Sequence, residues 1–223
     1  MDTASRAART IAVLLLLQMV GGPVLNFALM GQVVGASGFL DNAAAHGLQA
    51  GLAALLGIAL AAMSVGIAIA AWPVLRPRSL AMAQWLLVLA AASFVLSTVE
   101  AATVLSMRSL SEARAGAAAA QGDTFAVVAL AVGAARRWAH YANLIAVGAM
   151  LCVFYGALLR HALVPRTIGG FGLVAAVLLL VAVCMPVFGH AIVFALMSPL
   201  GLAHLALVAW LLVKGFAQPA PLA

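Results

Sequence analysis

Two short stretches of the sequence decide the fold: Ser93–Met107, SFVLSTVEAATVLSM, and Arg136–Tyr141, RRWAHY. The first is an apolar run that carries a single acid, Glu100, and the second opens another apolar run with basic and aromatic side chains. An isolated carboxylate in hydrocarbon is costly, so an acid in such a run must be protonated or paired. The pattern is typical of helices that cross a membrane and contact one another through a few polar groups.

The composition of the whole chain supports a membrane protein. Of its 223 residues, 67% are apolar and only 7% are charged, whereas soluble domains carry about 25% charged residues. A soluble fold of this composition would expose large apolar areas to water. Because a membrane-spanning helix needs about 20 apolar residues, the chain has room for six spans joined by short loops.

We therefore expect an all-α, polytopic membrane helix bundle with six transmembrane helices. The predicted domain covers residues 1–216, and residues 217–223 form a disordered tail. The predicted spans are Thr10–Val34, Ala43–Trp72, Leu80–Met107, Arg137–Leu159, Thr167–Phe188 and Ala191–Lys214, the last interrupted at Ser198-Pro199.

Local signals refine three of these spans. Pro23 lacks an N–H group, so we expect the first helix to bend there. Asp41 or Asn42 is expected to cap the start of span 2. The apolar run Thr124–Ala135 is too short to cross a bilayer, so we predict an extra short helix, re-entrant or interfacial, between spans 3 and 4.

The distribution of basic residues predicts the orientation. They are scattered at span ends rather than clustered on one face, which disfavours a nucleic-acid partner despite the net charge of +6. Placing both termini in the cytoplasm puts seven of the 11 Lys and Arg residues inside and four outside. We expect a multi-pass protein of the plasma (inner) membrane of a bacterium.

Polar side chains from four spans are expected at similar depth in the outer half of the bundle. Glu100 is predicted about 10 Å below the outer end of span 3, and three residues of span 4 recur on one helix face. We expect this polar cavity to bind a small molecule or a lipid. The candidate ligand-binding residues are Glu100, His140, His46, Asn26, Gln49, Arg136, Arg137 and Asn143.

The role of Glu100 has two interpretations. Its partner is Arg136 or Arg137, together with His46 or His140, and the resulting contact is either a structural tie between helices or part of a functional site. A haem held by His46 and His140, or a metal that activates water, is a further interpretation. The sequence shows no metal-ligand spacing, so we assign no metal ligands, and no cofactor can be identified.

Five short segments form a recognisable set: Gly22–Asn26 (GPVLN), Phe39-Leu40 before Ala45-His46, Val99–Ala102 (VEAA), Arg137–His140 (RWAH) and Leu211–Phe216 (LLVKGF). On these segments the chain resembles a large bacterial family of six-span membrane proteins known only as a domain of unknown function. The resemblance rests on short motifs. It covers nearly the whole chain. It implies the fold and the membrane location, and it adds no mechanism.

Three functions are compatible with these observations. The first is an integral membrane protein that binds a small molecule or lipid in the outer-half cavity. The second is a structural or assembly subunit with a membrane-protein partner, in which the polar groups only hold helices together. The third is a haem- or metal-dependent membrane enzyme. In all three the lipid bilayer is the surrounding medium.

Overall fold

A computed structural model describes residues 3–117 and 122–217. Within these ranges all regular elements are helical, and six of the helices are long and apolar enough to cross a membrane. This confirms the predicted all-α, polytopic bundle. The six spans are Thr3–Val34, Gly47–Leu75, Leu80–Ala115, Gly122–Arg160, Arg166–Phe188 and Phe194–Val213.

The chain divides into two compact units. Unit 1 comprises Met1–Met19, Met63–Ser93 and Leu144–Ala223, and unit 2 comprises Val20–Ala62 and Phe94–Asn143. The prediction of a single domain over residues 1–216 stays a prediction.

Each unit has its own apolar core. In unit 1 the fully buried side chains include Ile11, Phe154 and Leu207. The core of unit 2 is smaller and includes Met30 and Val104. Alanine is common in both cores, and small side chains let membrane helices approach each other closely.

Spans 4 and 5 approach each other closely in unit 1. A Cβ atom built on Gly169 would lie 3.1 Å from the Cα atom of Leu159, and one built on Gly172 would lie 2.1 Å from the ring of Tyr155. These two glycines are on the face of span 5 that contacts span 4. A Cβ built on Gly170, between them, would meet nothing within 4 Å.

The predicted extra helix between spans 3 and 4 is wrong as a separate element. Residues 124–135 belong to one continuous helix, Gly122–Arg160, of 39 residues. The stretch is rich in alanine and contains no proline, so nothing in it ends a helix. The prediction divided it because the apolar run Thr124–Ala135 by itself is too short to cross a bilayer.

The predicted cap of span 2 is also wrong. Span 2 begins at Gly47, and Asp41 and Asn42 belong to a one-turn helix, Phe39–Asn42. The Asn42 Nδ2 group donates instead to the carbonyl of Val34, at 3.1 Å, at the end of span 1. Its acceptors also include Gly38 O, at 2.8 Å. This side chain therefore closes the loop after span 1.

Prolines in span 1 and span 6 mark changes of helix type. After Pro23 the first span continues as a π-helix, Val24–Leu29, before it returns to α-helix at Met30. This irregular segment is where the sequence predicts a bend. In span 6, a 3-10 turn at Phe194–Leu196 precedes the α-helix Ser198–Val213. Ser198-Pro199 thus begins the α-helix of this span, because proline fits the first turn of a helix.

The predicted tail lies mostly outside the described residues. Of residues 217–223, the structure describes Ala217, whose backbone N–H donates to the carbonyl of Leu163 at 2.8 Å. Phe216, just before it, is buried in the core of unit 1.

Candidate functional site

The candidate site is formed where spans 3 and 4 bring Glu100 and His140 together in unit 2. Glu100 lies 20 residues after the start of span 3 at Leu80, and His140 lies 20 residues before the end of span 4 at Arg160. Both residues are therefore about 30 Å along their helices from those ends. Spans 3 and 4 run in opposite directions, so the start of span 3 and the end of span 4 are on the same side. Equal distances from these two ends place Glu100 and His140 at the same height along the helices.

The Glu100 carboxylate is the centre of a polar cluster. The Nδ1 atom of His140 lies 2.8 Å from Glu100 Oε1, and the Nη2 atom of Arg136 lies 3.4 Å from the same oxygen. Asn143 adds a side-chain hydrogen bond to Glu100. The structure thus selects Arg136 over Arg137 and His140 over His46 as partners of the acid. We call Glu100, Arg136, His140 and Asn143 the Glu100 cluster.

The Glu100 cluster is partly accessible. The side chains of Glu100, Arg136 and His140 are 16%, 20% and 26% exposed. An ionised carboxylate only accepts hydrogen bonds, so His140 carries a proton on Nδ1 when Glu100 is charged. The same residue leaves its other ring nitrogen, Nε2, without a hydrogen bond among the described residues.

Arg136 has hydrogen-bonding capacity that the protein does not use. Its Nε atom is buried and has no partner in the described part of the chain. Its one described contact to Glu100 is long, at 3.4 Å. A guanidinium group presents five donors in a planar arrangement that suits carboxylate and phosphate oxygens. The arrangement therefore offers donors to an acceptor-bearing molecule beside an acid that holds the arginine in place.

Four predicted site residues have no described contact with this cluster. Asn26 donates from Nδ2 to the carbonyl of Gly22 in its own helix, at 3.0 Å. Arg137 is exposed, next to Arg136 in sequence. His46 lies in the turn before span 2, and Gln49 lies in its first helical turn. Their assignment to a ligand site stays a prediction.

Span 3 is longer than predicted. It continues to Ala115, so Glu100 lies 15 residues, or about 22 Å, before the end of the helix. The predicted span ended at Met107, about 10 Å from Glu100, and the polar residues from Arg108 onward were placed outside the membrane core. In the structure Arg108 is helical and pairs with Glu112 at 2.7 Å.

A second set of polar contacts in unit 2 was not recognised from the sequence. Ser111 is buried; its hydroxyl donates to the carbonyl of Leu40 and accepts from the backbone N–H of Ala44, each at 2.9 Å. Arg114 also pairs with Asp41. Only the position of Asp41 just before span 2, opposite a basic residue after span 3, could have suggested these contacts.

Metal binding receives no support from the arrangement of side chains. Across residues 3–117 and 122–217, no group of three or more His, Cys, Asp and Glu side chains is placed to hold a metal ion. Cys152 and Cys184 are free thiols.

Comparison with known proteins gives one match. A family model described as "Domain of unknown function (DUF4386)" matches residues 10–215. No curated protein and no solved structure matches the chain. The matched region includes all six spans apart from the first residues of span 1 and contains the Glu100 cluster. The chain is therefore an integral membrane protein that belongs to the DUF4386 family.

Proposed function

We propose that this integral membrane protein binds a small polar molecule or a lipid headgroup at the Glu100 cluster. The observation that carries the proposal is Arg136, whose buried Nε atom has no partner in the described residues while its Nη2 atom has a single long contact, to Glu100. A molecule with a carboxylate, phosphate or carbonyl oxygen would complete these hydrogen bonds. Residues His46, Asn26, Gln49 and Arg137 remain candidate contributors.

The position of the cluster along its helices favours a lipid headgroup as one ligand class. Glu100 and His140 each lie 20 residues from the helix end on the same side, and the corresponding distance of about 30 Å equals the thickness of a hydrocarbon core. If Leu80 and Arg160 lie at one membrane surface, the cluster lies at the opposite boundary. Headgroup oxygens are found at that depth.

The test is a thermal-shift measurement on purified protein with oxygen-bearing probes: phosphatidylglycerol, oleate and inorganic phosphate. A probe at 100 times its Kd stabilises the protein by about 2.7 kcal/mol. We expect at least one probe to raise the melting temperature of the wild type and of Arg160→Gln, but not that of Arg136→Gln. Arg160 is the matched control because it is an exposed arginine of the same helix that is not among the candidate site residues.

Two results would contradict the proposal. Equal shifts in Arg136→Gln and Arg160→Gln would show that the probe binds elsewhere. No shift with any of the three probes would show that the spare donors do not bind an oxygen acceptor of these classes. The free-phosphate arm separates a small anion from a lipid.

A second candidate function, a structural or assembly subunit of a membrane complex, is favoured by the same contacts. Glu100 contacts Arg136 and His140 on the neighbouring long helix, which is what a tie between spans requires. In that case Glu100→Gln lowers the melting temperature, and neither the wild type nor the variant is stabilised by any probe. Isolation of the protein with a stoichiometric membrane-protein partner would favour this function.

A haem- or metal-dependent enzyme is the third candidate and is tested directly. A Soret band, or a metal at one equivalent per chain, in protein purified from its own membrane would establish it. No contact among the described residues joins His46 to His140.

For the orientation we propose that both termini face the cytoplasm of a plasma membrane. Seven basic residues then lie inside, Arg6, Arg9, Arg76, Arg78, Arg160, Arg166 and Lys214, against four outside. In a background without Cys152 and Cys184, Ala115→Cys should react with an impermeant thiol reagent in intact cells. Pro77→Cys should react only after permeabilisation. Both positions are exposed, and the reverse pattern would contradict this orientation.

A further inference from the structure

Unit 1 contains a stacked pair of polar rings, Tyr155 in span 4 and His204 in span 6. Their centroids are 5.9 Å apart and their planes differ by 20°. Tyr155 is 0% exposed and is part of the apolar core of the unit. Tyr155 is therefore enclosed by helices, and His204 beside it is partly buried, with its Nε2 atom buried.

Both rings have a polar atom without a partner. The hydroxyl of Tyr155 and the Nε2 atom of His204 are buried and make no hydrogen bond within residues 3–117 and 122–217. Buried polar groups in folded proteins are almost always hydrogen-bonded to protein or to ordered water. One example in the same unit is Gln18, whose Nε2 atom donates to the buried Ser64 Oγ at 2.8 Å.

Packing prevents Tyr155 from turning its hydroxyl elsewhere. A Cβ built on Gly172 would lie 2.1 Å from ring carbons of Tyr155, so the ring lies directly against the backbone of span 5. Phe154 contacts the ring at a centroid distance of 5.6 Å in an edge arrangement. The position of the hydroxyl is therefore set by its neighbours.

The two polar atoms do not satisfy each other, since neither has a hydrogen-bond partner among the described residues. Their rings are stacked with centroids 5.9 Å apart, so a single small molecule beside the stack is the simplest partner for both.

We propose that Tyr155 and His204 together bind one internal water molecule in unit 1. Water has two donors and two acceptors, so it pairs with a phenol hydroxyl and with either tautomer of a neutral histidine. An ion is unsuitable, because the surrounding core is apolar and desolvating a charge there is costly. The enclosed position distinguishes this site from the Glu100 cluster, and the inference is independent of the proposed function.

Trp210 Nε1 is also buried without a described partner, but it differs in position. Trp210 lies three residues before the end of span 6 at Val213, or about 5 Å, within reach of headgroup water. His204 lies nine residues before the same end, or about 13 Å. Trp210 can therefore be hydrated from the membrane surface, whereas the Tyr155–His204 pair requires an internal water molecule.

The first test is Tyr155→Phe, with Tyr141→Phe as the matched control. The chain has two tyrosines, both in span 4, and Tyr141 Oη is not among the buried unpartnered atoms. If the Tyr155 hydroxyl binds water, its removal should lower the apparent melting temperature by about 2–4 °C. An unchanged or higher melting temperature in Tyr155→Phe would overturn the proposal, because deleting a truly unpartnered hydroxyl does not destabilise the protein.

The second test is whether both residues bind the same molecule. His204→Phe retains a stacked ring and removes both nitrogens. The double variant Tyr155→Phe/His204→Phe should melt no lower than the less stable single variant, since both changes release one water. Additive losses would contradict a shared site. An experimental map with a density peak within hydrogen-bond distance of Tyr155 Oη and His204 Nε2 would support it, and a map that pairs either atom with a protein group would overturn it.

Discussion

Two groups of polar side chains lie among the apolar helices, and they differ in what stabilises them. One is the Glu100 cluster of unit 2, and the other is the Tyr155–His204 pair of unit 1. Glu100 and its two charged or ionisable partners compensate one another and stay 16–26% exposed. Tyr155 and His204 are neutral when buried in an apolar core, and packing rather than charge holds them. The first arrangement is partly exposed, whereas the second includes a fully buried tyrosine.

This difference predicts which kind of substitution should lower the stability of each unit. In unit 1 a change of shape at the helix contact should matter most, since one missing Cβ atom makes the space for Tyr155. In unit 2 a change of charge should matter most, because removing one partner leaves another charge uncompensated. Variants that alter only shape or only charge therefore test the comparison directly.

Gly172→Ala should produce the largest effect. The added Cβ would lie 2.1 Å from the Tyr155 ring, so the ring or span 5 must move, at a cost of about 3 kcal/mol. The matched control is Gly170→Ala, where the added atom meets nothing within 4 Å and alanine favours the helix. Thermal denaturation in detergent should show a large loss for the first variant and none for the second. Equal behaviour of the two would mean that packing at Tyr155 does not limit the stability of unit 1.

Glu100→Gln should have the next largest effect, about 1–2 kcal/mol, because Arg136 loses its acid while the partial exposure of the cluster moderates the cost. The double variant Glu100→Gln/Arg136→Gln should be more stable than Glu100→Gln alone, since it also removes the uncompensated charge. Melting temperatures of the three proteins measure this. If the double variant is the least stable, the cluster is held by hydrogen bonds and packing rather than by charge, and the contrast with unit 1 disappears.

The number and type of helices could be predicted from the sequence, because apolar run length is a direct consequence of bilayer thickness. The partners of Glu100 could be narrowed to Arg136 or Arg137 together with His46 or His140, but the sequence could not choose within either pair. Helix ends could not be predicted as well, because helices continue beyond the bilayer wherever nothing breaks them, as at Ala115 and Gly122.

The contacts that depend on three-dimensional proximity were beyond the sequence. Asn42 caps span 1 rather than span 2 because Gly35, at a φ of +55°, turns the chain back to it. Tyr155 and His204 are 49 positions apart, and no periodic pattern links them. Stacking of that kind depends on helix packing, which a single sequence does not report.

Ser111→Ala tests whether neutral hydrogen bonds also support unit 2. The variant leaves Leu40 O and the Ala44 N–H without their partner, and we expect a loss of about 1–2 kcal/mol. Ser109→Ala is the control, since Ser109 is exposed in the same helix. If Ser111→Ala loses less stability than Glu100→Gln, charge pairing is the main determinant of the stability of unit 2. A larger loss in melting temperature would assign that role to the contacts of Ser111.

The smallest expected effect concerns His161, in the connection between spans 4 and 5. Burial lowers the pKa of His161 below its usual value, and the positive charges of Arg160 and Arg78 lower it further. The unfolded chain therefore binds the proton more readily than the folded chain, so stability falls as the pH drops from about 6.5 through the folded pKa. We expect the melting temperature of the wild type to fall slightly more between pH 7.5 and pH 5 than that of His161→Gln.

His190→Gln is the control for this measurement, because it removes one histidine from an exposed position in the loop before span 6. Its pH dependence should match that of the wild type. Burial contributes most to the lowered pKa of His161, and the smaller contribution of the Arg160 and Arg78 charges should decrease as the salt concentration rises. A wild-type protein that gains stability on acidification relative to His161→Gln would reverse the sign and show that the connection favours the charged imidazole. That result would indicate a negative group near His161. Unit 1 would then also contain a histidine paired with an acid, as unit 2 does with His140 and Glu100.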